Sequence, residues 1–270
     1  MSFDELFRSA KRQDSSNGTE AVLQGNDMKK NEIIERSRKF VEPYCVTDGK
    51  KFRLKDVDPG DTGEATSEDK PRAKELLETG VQALSELQDV LYAQDRWSVL
   101  LIFQAMDATL VVRVHPELLA KQKIPQQLIT KEIWDERYRD IRHFEHYLSR
   151  NGVVIRKFFL HVSADEQKKR FLERLDNSAK NWKVSATDSS ERGFWKEYME
   201  AYEDMICNTA TDYAPWYLVP ADNKWFTRVV VAAVVIDALA SLHLEYPEVT
   251  GEQRKQLAAV KEALIADDKS

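Results

Sequence analysis

No glycine lies between Gly80 and Gly152. Such a stretch lacks the residue that lets backbone N–H groups close around an anion, so a GxxxxGK phosphate loop is excluded from it. The other glycines do not rescue one: Gly18, Gly25, Gly49, Gly60, Gly63, Gly193 and Gly251 are nowhere set between strand and helix with a lysine. Cysteine is scarce too. Cys45 and Cys207 stand far apart in no metal spacing, which rules out a disulfide framework and reads as two reduced thiols. The longest apolar run, 229–240, is interrupted by Asp237 and is too short to cross a bilayer. Basic excess is also missing: 40 Lys and Arg against 46 Asp and Glu leave a net charge of −6, so nothing in the whole-chain charge calls for nucleic acid. The start, MSFDELFRSAKRQDSSNGTE, mixes charges and has no apolar core of a secretory signal, so a cytoplasmic protein without a membrane partner is expected.

What remains is a chain of 270 residues, 42% hydrophobic, which is enough for a substantial core. Residues 1–38 are polar and read as a disordered tail. From Phe40 to Glu68, Pro43, Gly49, Pro59, Gly60 and Gly63 punctuate an extended arm of turns. Pro71 then opens a helix whose Leu77, Val81, Leu84, Leu87 and Leu91 step by three and four. Arg96–Phe103 follows as a first, central strand, then come a helix in Ile133–Arg150, a second strand in Val153–Val162, and a helix begun by the Ser163/Glu166 capping box. Trp195 to Ile206 carries another helical stripe, Trp216–Val219 a third strand, and Trp225–Leu244 a closing helix. Apolar strands alternating with helices predict an α/β fold with a mainly parallel sheet.

In such sheets ligands bind where the strands end, and here those ends offer Gln104 and Asp107, His161 and Ser163, then Asp222 and Lys224. The first of them is peculiar. In LLIFQAMDATLVVRVH (100–115) only six residues separate Phe103 from Leu110, whereas a parallel partner needs a crossover of about a dozen or more. Residues 110–114 therefore form either a hairpin partner or the first turn of a helix.

Cations gather between Arg156 and Lys183. Arg156, Lys157, Lys168, Lys169, Arg170, Arg174, Lys180 and Lys183 face only four carboxylates there, which fits either a solvated helix surface or a clamp for a polyanion. Lys224 and Arg228, four apart at a helix start, make a second candidate anion site. His143 and His146 lie three apart around Glu145, but no third metal ligand is suggested.

Several strings resemble the polyphosphate kinase 2 family, in order from about Phe40 to Pro247: FRLKDVDPGDTG, LYAQDRWSVLLIFQAMDA, LVVRVHPELL, ERYRDIRHFEHYLSRNG, KFFLHVSADEQKKRFLERLD, KNWK and APWYLVPADNKWFTR. The resemblance implies a P-loop-kinase-like, thymidylate-kinase-like parallel sheet with a helical lid, over one domain at 39–250. The lid spans about 163–212, and a helical tail follows at 251–270. It implies phosphoryl transfer between inorganic polyphosphate and a nucleoside mono- or diphosphate, using Mg²⁺, in a homo-oligomer. It assigns catalysis and the metal to Asp107, and substrate binding to Arg113, Arg170, Arg174, Lys180, Trp182, Lys183, Arg192, Lys224 and Arg228.

The family continues QAMDA into a Gly-Lys loop, its helix and a second strand before LVVRVH. Here Ala108 and Thr109 lead straight into LVVRVH, so an interior block comprising the phosphate loop and the second kinase motif is read as deleted. Two expectations follow: a phosphotransferase impaired or inactive as written, or a non-catalytic remnant that binds polyphosphate or docks onto another subunit.

Overall fold

A computed structural model describes residues 33–105, 110–179 and 190–267. Its centre is a four-stranded sheet in the order β1-β4-β3-β2, where β1 is Cys45–Val46, β2 Ser98–Gln104, β3 Val153–His161 and β4 Trp216–Pro220. β2, β3 and β4 run parallel, with Phe103 beside Phe158 and Phe158 beside Tyr217; β1 adds an antiparallel edge on β4, and β2, expected to be central from its unbroken apolar run, lies at the other edge with β3 as its one strand partner among the described residues. The arm read only as turns therefore contains a strand. Two residues are too few to show a two-residue alternation in sequence, and β4 supplies the pairing.

The helices are α1 (residues 33–41), α2 (Lys70–Gln94), the single turn α3 (Val111–Val114), α4 (Ile133–Arg150), α5 (Ala164–Leu175), α6 (Trp195–Thr209), α7 (Lys224–Ala240) and α8 (Gly251–Asp267). One sheet face packs Phe158, Tyr217 and Val219 against α7, α1 and Ala73 of α2. The other packs Phe159, Trp216 and Leu218 against Tyr138 of α4 and Tyr198, Tyr202 and Ile206 of α6.

Local signals account for most boundaries. Thr66 and Asp69 form a reciprocal capping box in the turn before α2, Pro71 sits in the helix's first turn, and Asp95 ends it in left-handed backbone at φ 50°. α4 stops at Asn151, and Gly152 turns the chain at φ +80°, where a Cβ would also press on the Arg96 carbonyl. That turn delivers β3 alongside β2.

Elsewhere the tertiary context overrides composition. Residues 33–38, which composition assigns to a tail, are helical because Ser37, Phe40 and Val41 are buried and Arg38 pairs with Asp237 at 2.9 Å; residues 1–32 lie outside the described residues. The same pair explains a carboxylate inside the apolar helix α7. That helix ends at Ala240 rather than Leu244, with His243 in left-handed backbone. Lys157, counted among the clamp cations, is inside the protein: its ammonium lies 2.8 Å from Glu145, 2.7 Å from the Thr209 carbonyl and 5.1 Å from the centre of the Trp216 ring. Both cysteines are free and half-buried, and burial raises the pKa of each thiol. Among the described residues no helix is long and apolar enough to cross a membrane.

Candidate functional site

β2, β3 and β4 end on the same side of the sheet, where their following segments meet. At the end of β2 the buried Gln104 side chain donates to the Ala105 carbonyl at 2.6 Å, and the Tyr202 hydroxyl reaches the same oxygen at 3.3 Å. Leu110 directly precedes α3, so the second of the two alternatives for 110–114 is the one adopted. Asp107 lies outside the described residues.

The end of β3 is tied to the end of β4. The Ser163 N–H donates to Asp222 Oδ1 at 2.8 Å, the Ala221 N–H to the His161 carbonyl at 2.8 Å, and the Asp222 N–H to the Pro59 carbonyl at 3.1 Å. Ser163 also caps α5 by accepting from the Glu166 N–H. His161 is buried, which depresses its pKa, and its Nδ1 has no partner among the described residues.

Over this end opens a cleft of about 680 Å³, walled by Arg53, Leu54, Lys55, Val57 and Pro59 of the arm, His161–Ala164, and Trp195, Lys196, Met199, Glu200 and Glu203 of α6. Glu203 accepts from the Leu54 N–H at 2.7 Å, which fixes the arm on α6. Exposed Arg53, Lys55 and Lys196 bring three cations to the walls, beside the first turn of the twelve-residue helix α5, whose N-terminal dipole favours anions. Reading for single residues missed all three. The signal was there for Arg53 and Lys55, which lie within FRLKDVDPGDTG; Lys196 stands outside every string singled out.

The residues expected to bind substrate fall into distinct settings. The Arg170 guanidinium donates to Glu166 (2.8 Å) and to the carbonyls of Ala221 (2.6 Å) and Asp222 (3.2 Å), pinning α5 to the β4–α7 turn. Arg192 grips the same helix from the other side, at the Ala164 carbonyl (3.2 Å) and Gln167. Arg113 pairs with Asp204 at 3.3 Å, where the Tyr138 hydroxyl also donates, and lies 5.5 Å from the centre of the Trp134 ring. Arg174 is exposed, 5.6 Å from the Phe171 ring, and Lys224 and Arg228 project from the first turns of α7 into solvent. Lys180, Trp182 and Lys183 lie outside the described residues. The structure thus gathers Arg170 and Arg192 at α5 but spends both on protein oxygens.

Beside α6, Glu191 accepts from the Tyr198 hydroxyl (2.7 Å) and contacts His115 Nε2 (3.1 Å); the tyrosine first and the histidine second hold its carboxyl below the usual range. His146 packs on Tyr213 rather than facing a ligand set, and no three His, Cys, Asp or Glu side chains converge on a metal site among the described residues.

Comparison with known proteins places this arrangement. The profile of the family described as polyphosphate kinase 2 matches residues 121–247. An ADP-polyphosphate phosphotransferase of Rhodopseudomonas palustris is 36% identical over an alignment of 283 positions, which takes in 80% of this chain and 98% of that protein. An AMP/ADP-polyphosphate phosphotransferase of Meiothermus ruber is 34% identical, over 77% of this chain and 96% of the relative. Among solved structures, a polyphosphate kinase 2 from Arthrobacter aurescens TC1 superposes with a TM-score of 0.69 at 30% identity, covering 82% of this chain and 96% of its own.

Proposed function

This chain belongs to the polyphosphate kinase 2 family, and we propose that it binds inorganic polyphosphate and a nucleoside mono- or diphosphate at the carboxyl end of its sheet, with phosphoryl transfer between them strongly impaired. The substrate class rests on the relatives, two of which are named for transfer between polyphosphate and adenine nucleotides. The impairment rests on the junction after β2. Phosphoryl transfer is mostly positioning and charge neutralisation, and a phosphate loop does this with glycine amides and a lysine. Between Gly80 and Gly152 the chain has no glycine with which to build one. A deletion there is also supported by the length of the Rhodopseudomonas alignment: 80% of 270 residues falls well short of 283 positions, so part of the relative has no counterpart here.

In this reading the binding groups are cations exposed to meet phosphate. Arg53, Lys55 and Lys196 line the cleft, with Arg53 donating to the Phe52 carbonyl and Lys196 3.7 Å from Glu200, while Arg174, Lys224 and Arg228 point into solvent; Lys180 and Lys183, outside the described residues, take the same role from the family resemblance. Arg113, Arg170 and Arg192 act as positioning residues, holding α3 and α5 in place through Asp204, Glu166 and the Ala164 carbonyl. Mg²⁺ chemistry belongs to the family reading. Such an ion needs only one or two carboxylates besides substrate phosphates, and the family resemblance gives that role to Asp107.

The test is transfer from polyphosphate to ADP, AMP and GDP in the presence of Mg²⁺. Turnover far below the roughly 1–100 s⁻¹ of ordinary kinases is expected, and turnover within that range overturns the impairment. A non-catalytic role in binding polyphosphate is the second reading, favoured by the same three cleft cations; salt-sensitive retention on immobilised polyphosphate without turnover would establish it.

A further inference from the structure

Of the two edge strands of the sheet, β2 is the longer, at seven residues against two, and its outer side is free among the described residues. The Ser98 N–H bonds the Gly152 carbonyl at 2.9 Å, so Ser98, Leu100, Ile102 and Gln104 turn their backbone groups toward β3. Val99, Leu101 and Phe103 consequently turn their N–H and C=O outward. Unpaired groups of this kind on a strand are a template for another strand. A helix laid across them would leave them unpaired, because its own backbone groups are already used.

The sequence carries none of the usual protections of a free edge. Ser98–Gln104 contains no charge, no proline and no glycine, while Leu100 and Phe103 are 37% and 51% exposed. The absence of charge matters for the choice of partner. A two-fold axis sets each residue against the same strand of its copy, and here it brings no like charges together. The midpoint of the seven residues is Leu101, itself outward-facing. With the axis through Leu101 and normal to the sheet, two copies of β2 lie antiparallel in full overlap. Leu101 then faces Leu101, Val99 faces Phe103, and every outward N–H meets an outward C=O.

We propose that the free edge of β2 is a dimerisation surface, on which a second copy of this chain adds its own β2 antiparallel across a two-fold at Leu101. Ile141, Phe144 and Tyr147 extend the surface. They are 41%, 62% and 62% exposed on α4, which packs on the Phe159 side of the sheet, the side that Leu100 and Ile102 share by register. Such an extension is needed, since a stable interface buries about 1,200 Å² or more in total. The opposite sheet edge, β1, is two residues long, so the assembly closes at two copies instead of growing into a fibre. The proposal is independent of the polyphosphate reading and stands or falls separately.

Sedimentation velocity of the full chain across a concentration series tests it. A concentration-dependent dimer is expected, lost when Leu100→Lys and Phe103→Lys place ammonium groups on both exposed positions, with the far-UV circular dichroism unchanged. Leu257→Lys with Leu264→Lys, on the exposed apolar side of α8, should leave the dimer intact. A parent that stays monomeric, an edge variant that still dimerises, or a dimer abolished by the α8 variant would each overturn the proposal. Should the edge variant not fold, hydrogen exchange of the parent decides. Amides in the 97–105 peptide become more protected as concentration rises if the edge pairs, and exchange at a concentration-independent rate if it does not.

Discussion

The Lys157 ammonium and the Glu145 carboxylate meet at 2.8 Å with 2% and 5% of their side chains exposed, making a buried ion pair between the centre of β3 and α4. Burial pushes the carboxyl pKa up and the ammonium pKa down, against their mutual attraction. Removing one partner leaves the other charged or unsatisfied in the interior. Lys157→Met is therefore expected to cost about 3–5 kcal/mol in urea unfolding, while Lys157→Met with Glu145→Leu costs much less. Equal losses from the single and double variants would show that the two charges are not coupled.

Gly80 sits mid-way along α2, buried, and a Cβ there would meet Ile236 Cδ1 at an ordinary 3.6 Å beside a small apolar cavity. Nothing in its backbone requires glycine. Gly80→Ala should stabilise by up to about 1 kcal/mol through helix propensity, raising Tm by roughly 2–4 °C. Gly49→Ala is the contrasting case: its Cβ would overlap the Cys207 backbone, so thermal unfolding should occur at lower temperature.

His161 gives the protein an acid-side sensitivity. Burial holds its folded-state pKa below the unfolded value of about 6.5, so the unfolded chain takes up a proton first as pH falls. Its contribution to stability is complete above pH of about 6.5 and is lost as pH falls from there through the folded pKa. Tm measured from pH 8 to pH 5 should drop, and His161→Gln should flatten the part of that drop nearest pH 6. An unchanged slope would remove His161 from the explanation.

Arg53→Ala, Lys55→Ala and Lys196→Ala together are expected to weaken retention on immobilised polyphosphate by about tenfold or more, equivalent to 1.4 kcal/mol, and to reduce its salt dependence. All three side chains are exposed, so Tm should stay close to that of the parent. Retention at parental strength would move the binding surface elsewhere, to Arg174, Lys224 and Arg228.

Much of the scaffold could be read locally. α4 falls on Ile133–Arg150 and β3 on Val153–His161 because a stripe of Trp134, Tyr138 and Ile141 gives way at Asn151-Gly152 to an unbroken apolar run. β1 was not readable, since its pairing with β4 comes from residues over 150 positions away. The candidate site was harder. Arg170, in a basic stretch, and Arg192 beyond it look like free cations, yet carbonyls of the β4–α7 turn and of α5 claim them, and nothing near them in sequence announces those acceptors.

The amino-acid sequence by itself determined most of the strands and helices, the family, and the want of glycine after β2, because periodicity and residue type are properties of neighbours along the chain. The tertiary structure alone decided that Lys157 is interior, that Arg53 and Lys55 face Lys196 across one cleft, and that β2 lies at an edge. A charge's partner and a strand's position are set by what packs beside them in space, and burial converts the same lysine from a surface cation into part of the core.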